Sequence, residues 1–475
     1  MELMIPLDSQ DKRPLYEQIY HYIKEEIRTG GIRPARQLPS TRQLAESLKV
    51  SRSTTQLAYE QLVSEGYLEA IPRKGYFAAS LEGIFPPLAE APVRHGEKPE
   101  KAAGQEKKAE YAVDFSPRGI DLTGFPFSTW RKISRAALRR EEQELFLKGE
   151  PQGDLELRTA IAEYLHAARG VHCLPEQIVV GAGNEYLLML LSQLLGRDAG
   201  IAMENPTYNQ AYRVFSGMGH PVYPVEMDKS GLMAEALSRL PVTVAYTMPS
   251  HQFPMGIVMP VKRRQELLSW AEEKEGRYLI EDDYDSEFRY KGKPIPALQG
   301  MDRKGLVIYM GTFSKSIAPA IRIGYLVLPE RLLSRYREKA WFYSSTVSRV
   351  DQRILCRFLS GGYFERHLNR MREIYKGKHD ALLAALKALE PEFEIRGEFA
   401  GLHVLLASRT GRSEKELLET AAAAGVRVYG LSGFFIHPEH ERYPGTVLLG
   451  YANLEEETIR KGASLLLKAW KEGKE

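Results

Sequence analysis

Between residues 177 and 329 the chain repeats one pattern, a short run that is apolar at nearly every position followed by a segment with helical spacing. The runs read QIVVGAG, GIAME, VTVAYTMPS, RYLIEDDYD, GLVIYMGTFS and IRIGYLVLP. A strand that alternates apolar and polar residues has one wet face, whereas a strand apolar throughout must be covered on both. Such strands, separated by helices, predict an α/β fold with a mixed, mainly parallel sheet and helices on both faces. In sheets of this kind ligands gather where the carboxyl ends of the strands open into loops. The polar residues of these runs fall at that edge.

Three strand ends carry the chemistry. After RYLIE come Asp282, Asp283 and Tyr284; after GLVIYMG come Thr312, Ser314 and Lys315, with Arg322 seven residues further on. After QIVVGAG a helix opens at Asn184 and Glu185 behind Gly183, and its free N–H groups form a ready phosphate cradle. A lysine beside a second cation and a helix start gives up its proton more readily and can attack a carbonyl. Lys315 is therefore the candidate catalytic residue, forming a Schiff base to a phosphorylated aldehyde, and pyridoxal 5'-phosphate fits the whole set. Its pyridine nitrogen needs a buried carboxylate, which Asp282 supplies. Tyr284 is placed to bond the phenolic oxygen of the cofactor, and Tyr208, in MENPTYNQAY, to stack on its ring. Taken singly, these are a surface lysine, helix-capping aspartates and a core tyrosine; their shared position on neighbouring strand ends favours the cofactor.

The first eighty residues follow another rhythm. In PLYEQIYHYIKEEIR, Leu15, Ile19, Ile23 and Ile27 recur every four residues as one helical stripe, which GGIRPARQLP breaks. STRQLAESLKV takes Ser40 as its N-cap, with Leu44, Ala45 and Leu48 on one face. A third helix follows Val50 with Ser51 as its cap and Leu57, Ala58, Leu62 and Val63 inward. YLEAIPRKGYFAAS reads as a hairpin turning at Arg73 to Gly75. These elements predict a winged helix-turn-helix over 1–80. Its third helix presents Arg52, Ser53, Thr54 and Gln56, together with Ser51 and Arg42, to the phosphates and base edges of a double-stranded DNA operator, while Lys74 and Gly75 at the wing tip follow the backbone.

A net charge of +3 is too small to announce nucleic acid by itself. Locally, however, residues 31–59 carry Arg33, Arg36, Arg42, Lys49 and Arg52 against Glu46 alone. Residues 81–112 turn to proline, lysine and glutamate and read as a linker. The second domain is expected over 113–475, with a smaller α+β subdomain from about 346. Only Cys173 and Cys356 occur, so no disulfide framework is available, and no metal site is suggested. The chain opens without a charged start followed by an apolar signal core, and its longest apolar run, around YLLMLLSQLLG, is too short to span a bilayer. A cytoplasmic location with no membrane partner is the expectation.

The segments PSTRQLAESLKVSRSTTQLAYEQLVSEGYLEAIPRKGYF, MPSHQFPMGIVMP, LIEDDYDSEFRY and GTFSKSIAPAIRIGYLVLP resemble those of the MocR/GabR-type regulators. In that family a GntR-like winged helix is joined by a linker to a fold-type-I aminotransferase-like domain, and the likeness covers the chain apart from its linker. The resemblance implies that Lys315 carries the cofactor, Asp282 meets its pyridine nitrogen and Tyr284 its phenolic oxygen. It implies likewise that Arg322, Thr312 and the turn Gly183 to Glu185 hold the phosphate. It further implies a homodimeric transcription regulator that senses a small amine or amino acid, or the cofactor itself, rather than an enzyme. The alternative is a working aminotransferase with an accessory DNA-binding domain. Two departures from working aminotransferases bear on that choice. Where those enzymes read NPTG this chain reads QFPMG, with Phe253 at the asparagine, and the C-terminal strand VLLGYAN lacks the arginine that usually holds a substrate carboxylate. Nor do Gln210 and Gly433 match the arginines expected of a γ-aminobutyrate sensor, although Arg213 and Arg427 lie near in sequence.

Overall fold

The computed structural model describes residues 3–8, 11, 13–80, 111–290, 295–437, 443 and 445–471. The chain divides into two compact units, Met1–Lys108 and Ala109–Glu475. The linker expected over 81–112 lies outside the described residues except for its last two.

In the first unit helix α1 spans Leu15–Arg28, α2 Thr41–Leu48 and α3 Arg52–Ser64, followed by the antiparallel pair β1 (Leu68–Ile71) and β2 (Gly75–Ala78). Ser40 opens α2 with a capping box: its Oγ accepts from Gln43 N at 3.2 Å, and Gln43 Oε1 accepts from Ser40 N at 3.0 Å. Lys49 ends α2 in the left-handed region at φ 53°, and Ser51 caps α3 by accepting from Thr54 N at 3.2 Å. The inward stripe of α3 differs from the expectation. Ala58 and Leu62 are buried as expected, but Leu57 is 47% exposed, and Thr55 and Tyr59 are buried in its stead. The reason is polar: Thr55 Oγ1 donates to Thr41 O at 2.8 Å and Tyr59 Oη to Pro39 O at 2.9 Å, so both residues satisfy their hydroxyls inside. Leu15, the first residue of the α1 stripe, is likewise exposed, while Ile19, Ile23 and Ile27 enter the core. Leu3 and Ile5 join that core from a segment that carries no periodicity.

The second unit begins with a short strand, β3 (Val113–Asp114). Then β4 (Ile178–Gly181), β5 (Ile201–Asn205), β6 (Val222–Asp228), β7 (Gly231–Leu232), β8 (Val244–Thr247), β9 (Tyr278–Asp283), β10 (Val307–Thr312) and β11 (Gly324–Val327) build one sheet. Its order is β4-β11-β10-β9-β8-β5-β6-β7. β10, β9, β8, β5 and β6 pair in parallel, and β11 runs against both its neighbours. The mixed, mainly parallel sheet is therefore as expected, and its strands are covered on both faces. Ile280, Ile308, Met310 and Leu326 pack on one side with Leu187 and Leu191, while Tyr309, Tyr325 and Val327 pack on the other with Leu157 and Ile161. Fully burying each such side chain is worth roughly 1.5–3 kcal/mol.

β12 (Phe393–Arg396), β13 (His403–Ser408), β14 (Val426–Arg427), β15 (Tyr429–Gly430) and β16 (Thr446–Gly450) follow. All but β14 form a small antiparallel sheet in the order β12-β13-β16-β15. β14 pairs in parallel with β3, so the first strand of the unit belongs with its last elements. Helix Arg349–Ser360 still packs with the large sheet through Ile354, Leu355 and Phe358. The small core takes its first residue of the long helix Tyr363–Leu386 at Leu382 and also holds Val113 and Phe115.

Candidate functional site

The strand ends meet at one edge. Thr312 pairs with Gly324 and Gly324 with Gly181, while Gly311 pairs with Asp283, so the ends of β4, β10 and β9 and the start of β11 lie side by side. Successive residues of a strand face opposite sides. Asp282 and Asp283 accordingly have separate partners.

Asp282 is buried, and its Oδ2 accepts a short hydrogen bond from Tyr246 of β8, while its Oδ1 has no partner among the described residues. Burial pushes its carboxyl up to about 7, with the Tyr246 hydrogen bond opposing and Asp283 and Asp285 adding. Asp283 is committed elsewhere: its Oδ2 accepts from Arg169 Nε at 2.8 Å and from Tyr309 Oη at 2.5 Å. Lys315 lies half-buried in the loop after β10, its Nζ donating to Pro117 O at 3.3 Å and Arg118 O at 3.1 Å. Burial lowers its pKa to about 8, against the pull of Asp285 and with help from Arg118. An amine that is partly neutral near physiological pH is a competent nucleophile.

Helix Asn184–Leu195 starts beside Arg322. Gly183, its N-cap, has φ 89°, and a Cβ there would stand 2.4 Å from Arg322 Nη2, so only glycine lets the guanidinium lie on the helix start. Arg322, itself left-handed at φ 53°, donates to Glu185 Oε2 at 2.6 Å. Burial raises the Glu185 carboxyl, but the Arg322 hydrogen bond, a backbone N–H and the Arg322 charge together outweigh it and leave the group below the usual range. Thr312 Oγ1 accepts from Ser314 N at 3.2 Å, and Asn184 Oδ1 is buried without a partner among the described residues.

Tyr284 Oη is 3.0 Å from His251 Nδ1, which itself lies 3.1 and 3.0 Å from the two oxygens of Asp285. Phe253 stands between the two tyrosines, its ring centroid 6.3 Å from that of Tyr208 and 6.0 Å from that of Tyr284. An apolar ring thus lies between these two tyrosines. Tyr246, His251, Asp285 and Arg118 were absent from the expected site. Ser250, His251 and Gln252 follow β8 as Asp282 and Tyr284 close β9, so the strand-end rule reaches them when applied to VAYTMPS; nothing local marks Arg118.

These residues fit pyridoxal 5'-phosphate. The unpartnered Asp282 oxygen wants a donor such as a ring N–H, the Gly183 helix start with Arg322 forms an anion seat, and Lys315 offers an amine on the same strand edge.

In the first unit the expected DNA-facing residues sit together on the start of α3. Arg52 and Ser53 are exposed, whereas the Ser51 hydroxyl is engaged in the cap and lies 2.7 Å from Ser53 Oγ and 2.8 Å from Thr54 Oγ1. Arg42 is exposed and donates to Glu46 at 3.1 Å. Lys74 is exposed at the wing tip, where its carbonyl accepts from Gln37 Nε2 at 2.6 Å, and Gly75 supplies φ 109°. Arg73, at φ 65°, adds a further exposed cation to the same turn.

Comparison with known proteins agrees with both units. Residues 122–466 match the family described as aminotransferase class I and II, and residues 15–77 match the bacterial regulatory proteins of the gntR family. The chain is 41% identical over 472 residues to the uncharacterized HTH-type transcriptional regulator YhdI of Bacillus subtilis (strain 168), covering 99% of this chain and 98% of that protein. It is 32% identical to the probable rhizopine catabolism regulatory protein MocR of Rhizobium meliloti, covering 98% and 96%. Among solved structures it resembles the Pyrococcus horikoshii kynurenine aminotransferase in complex with PMP, with a TM-score of 0.68 and 26% identity over 78% of this chain and 92% of that one.

Proposed function

The chain belongs to the HTH-type transcriptional regulators that join a gntR-family domain to an aminotransferase class I and II domain, and from that premise we propose that it senses a small amine, or the cofactor itself, at Lys315. The domains run over 1–80 and 113–475, separated by the linker 81–112. The observation that carries the reading is Lys315: an amine of lowered pKa at the strand edge of Asp282, a buried carboxylate with one oxygen unpartnered. Pyridoxal 5'-phosphate would supply an aldehyde reactive toward amines. Asp282 would hold a proton at the ring nitrogen, Tyr284 would donate at the phenolic oxygen, and Tyr208 would cover the ring. Arg322, Thr312 and the backbone from Gly183 to Glu185 would hold the phosphate.

Recognition of an operator rests on Arg42, Arg52, Ser53, Thr54 and Lys74, with Gly75 letting the wing tip approach and Ser51 holding the start of α3. The regulator acts in the cytoplasm as a homodimer, and effector binding shifts the balance between two arrangements of its DNA-binding units. An effector achieves this only by binding the two arrangements unequally.

Sensing rather than turnover is the better reading because relatives similar over the full length are described as regulators; β16 agrees in being apolar, with Val447, Leu448 and Leu449 all buried and no cation of its own. The test is spectroscopic. Borohydride treatment of the cofactor-loaded protein followed by peptide mass analysis is expected to find the modification on Lys315; an unmodified Lys315 sinks the reading. Adding amines without a keto acid is expected to shift the near-visible band and stop there, while multiple turnovers after addition of a keto acid identify an aminotransferase. For the first unit, Arg52→Ala is expected to weaken operator binding and flatten its salt dependence by about one phosphate contact.

A further inference from the structure

If β16 lacks an arginine, a carboxylate on the effector needs its cation from somewhere else. Leu448 packs in an apolar cluster with Met227, Met255, Leu405 and Leu431, which leaves no room for charge. At the end of the strand Gly450 takes the place of a side chain. A Cβ there would lie 2.2 Å from Ser116 O and 2.5 Å from Pro117 Cα, so the backbone of Ser116 and Pro117 fills the space. Gly119 is seated in the same way, its missing Cβ 2.3 Å from Asn453 Oδ1. The segment is pinned from both sides, Phe115 N donating to Arg427 O at 3.0 Å and Gly450 N to Phe115 O at 2.9 Å. Arg118 stands between the anchored Phe115 and the seated Gly119.

The backbone of Arg118 reaches the amine of the site directly, its carbonyl accepting from Lys315 Nζ at 3.1 Å. Its side chain is exposed, and among the described residues the guanidinium has no hydrogen-bonded or ion-paired partner. Its charge lowers the pKa of Lys315, the smallest of the causes acting there, and acts in the same sense on Tyr208. The neighbouring cations are engaged. Arg322 is paired with Glu185, and Arg169 with Asp283. Arg427 stacks on Tyr111 and Tyr429 and lies 3.9 Å from Asp114. The loops around Tyr208 and Gly433 meet each other, Thr207 N donating to Phe434 O at 2.9 Å, and bring no arginine among the described residues; Arg213 is exposed on the helix Asn209–Gly217.

Resting on the reading of Lys315 as the amine-capturing group, we propose that the effector is an amino acid whose carboxylate is received by Arg118, the cation having moved from the C-terminal strand to the segment that lies against it. A guanidinium fork suits a carboxylate because two N–H groups meet two oxygens. Charged hydrogen bonds of this kind are worth about 1.5–3 kcal/mol, which is about ten- to a hundredfold in affinity.

The test uses the full-length protein loaded with pyridoxal 5'-phosphate and three pairs of probes that differ by a carboxylate: glycine and methylamine, β-alanine and ethylamine, γ-aminobutyrate and propylamine. Each is titrated while the near-visible band is followed. At least one acid is expected to act at about ten- to a hundredfold lower concentration than its amine. The ratio falls to near one in Arg118→Ala and takes an intermediate value in Arg118→Lys, which keeps the charge without the fork; the pair that responds also reports the spacing between amine and carboxylate. A parent protein in which no acid outperforms its amine overturns the proposal, as does an Arg118→Ala variant that keeps the parent ratio. Complete absence of the band on adding cofactor overturns the reading of Lys315 as well, so the two failures are distinguishable.

Discussion

Replacing Arg169 with methionine separates the two aspartates of β9 by experiment. Arg169 closes the helix Leu155–Arg169 with its side chain 3% exposed, against 1% for Asp283. Its three nitrogens reach Asp283 Oδ2 at 2.8 Å, Ser250 Oγ at 2.7 Å and Ile295 O at 2.5 Å. Methionine keeps much of the apolar stem and removes the charge, so Asp283 is left buried with Tyr309 as its one remaining donor among the described residues. Breaking a buried pair in this way costs about 3–5 kcal/mol, because the survivor is an uncompensated charge. With an unfolding entropy of about 2.1 cal/mol/K per residue, that lowers the midpoint of a unit this size by about 4–6 °C. Calorimetry of the cofactor-free protein reads this, with the transition of the first unit as an internal standard. The double variant Arg169→Met with Asp283→Leu, which removes both charges, is expected to regain most of the loss. A second readout follows from the adjacent residue. Asp283 already pushes the Asp282 carboxyl upward, and without Arg169 it does so unopposed, so cofactor affinity falls in the single variant and recovers in the double. A single variant that loses less than about 1 kcal/mol, or a double variant no better than the single, refutes the assignment of Asp283 as a paired structural charge.

Gly183→Ala places a methyl group against Arg322 at a left-handed residue; cofactor affinity measured by absorbance titration is expected to fall tenfold or more, roughly the worth of one charge-assisted contact, with the unfolding midpoint little changed. Capture of cofactor by the free protein should accelerate as pH rises through about 8, since the Lys315 pKa is lowered by burial and the neutral amine is the reacting form; stopped-flow rates still climbing toward pH 10 contradict this. Thr55→Val leaves Thr41 O without its buried donor and is expected to cost the first unit about 1–3 kcal/mol in denaturant unfolding. Glu65 is held below the usual carboxylate range by Lys24 and Tyr20, so its stabilisation is present above the ordinary carboxylate pKa and is lost as pH falls through the depressed one. Glu65→Gln should therefore flatten the acid limb of the stability curve of that unit.

The fold was legible where a local pattern has one physical reading. Runs apolar at every position leave a strand no wet face, and the large sheet follows from them. Ser40 with Gln43 and Ser51 with Thr54 are caps whose donors and acceptors lie within three residues, so a short stretch of sequence holds both partners. The register of α3 was misjudged at Leu57 because hydrophobicity alone does not count hydroxyls. Thr55 and Tyr59 are buried since each finds a carbonyl, Thr41 O and Pro39 O, on a different part of the chain. Likewise β3 carries no signal for its pairing with β14, which brings Val113 beside Val426 across the whole second unit.

The site divides along the same line. Asp282, Tyr284, Thr312, Lys315 and the Gly183 helix start share one edge because strand ends in a parallel sheet converge wherever the strands are in register. That convergence can be read from the order of apolar runs. What gives these groups their properties cannot, because it comes from the other face of the sequence. Tyr246 holds Asp282 from the next strand, Arg169 neutralises Asp283 from a helix more than a hundred residues earlier, and the carbonyls that receive the Lys315 amine come from residues 117 and 118. A lysine alone in a loop is an ordinary surface group. The segment 117–118 receives the half-buried amine with its carbonyls and brings the Arg118 charge that helps burial lower its pKa, and that same segment fills the space a side chain at Gly450 would need. One backbone placement therefore accounts both for the reactivity of the amine and for the absence of a bulky residue at the end of β16.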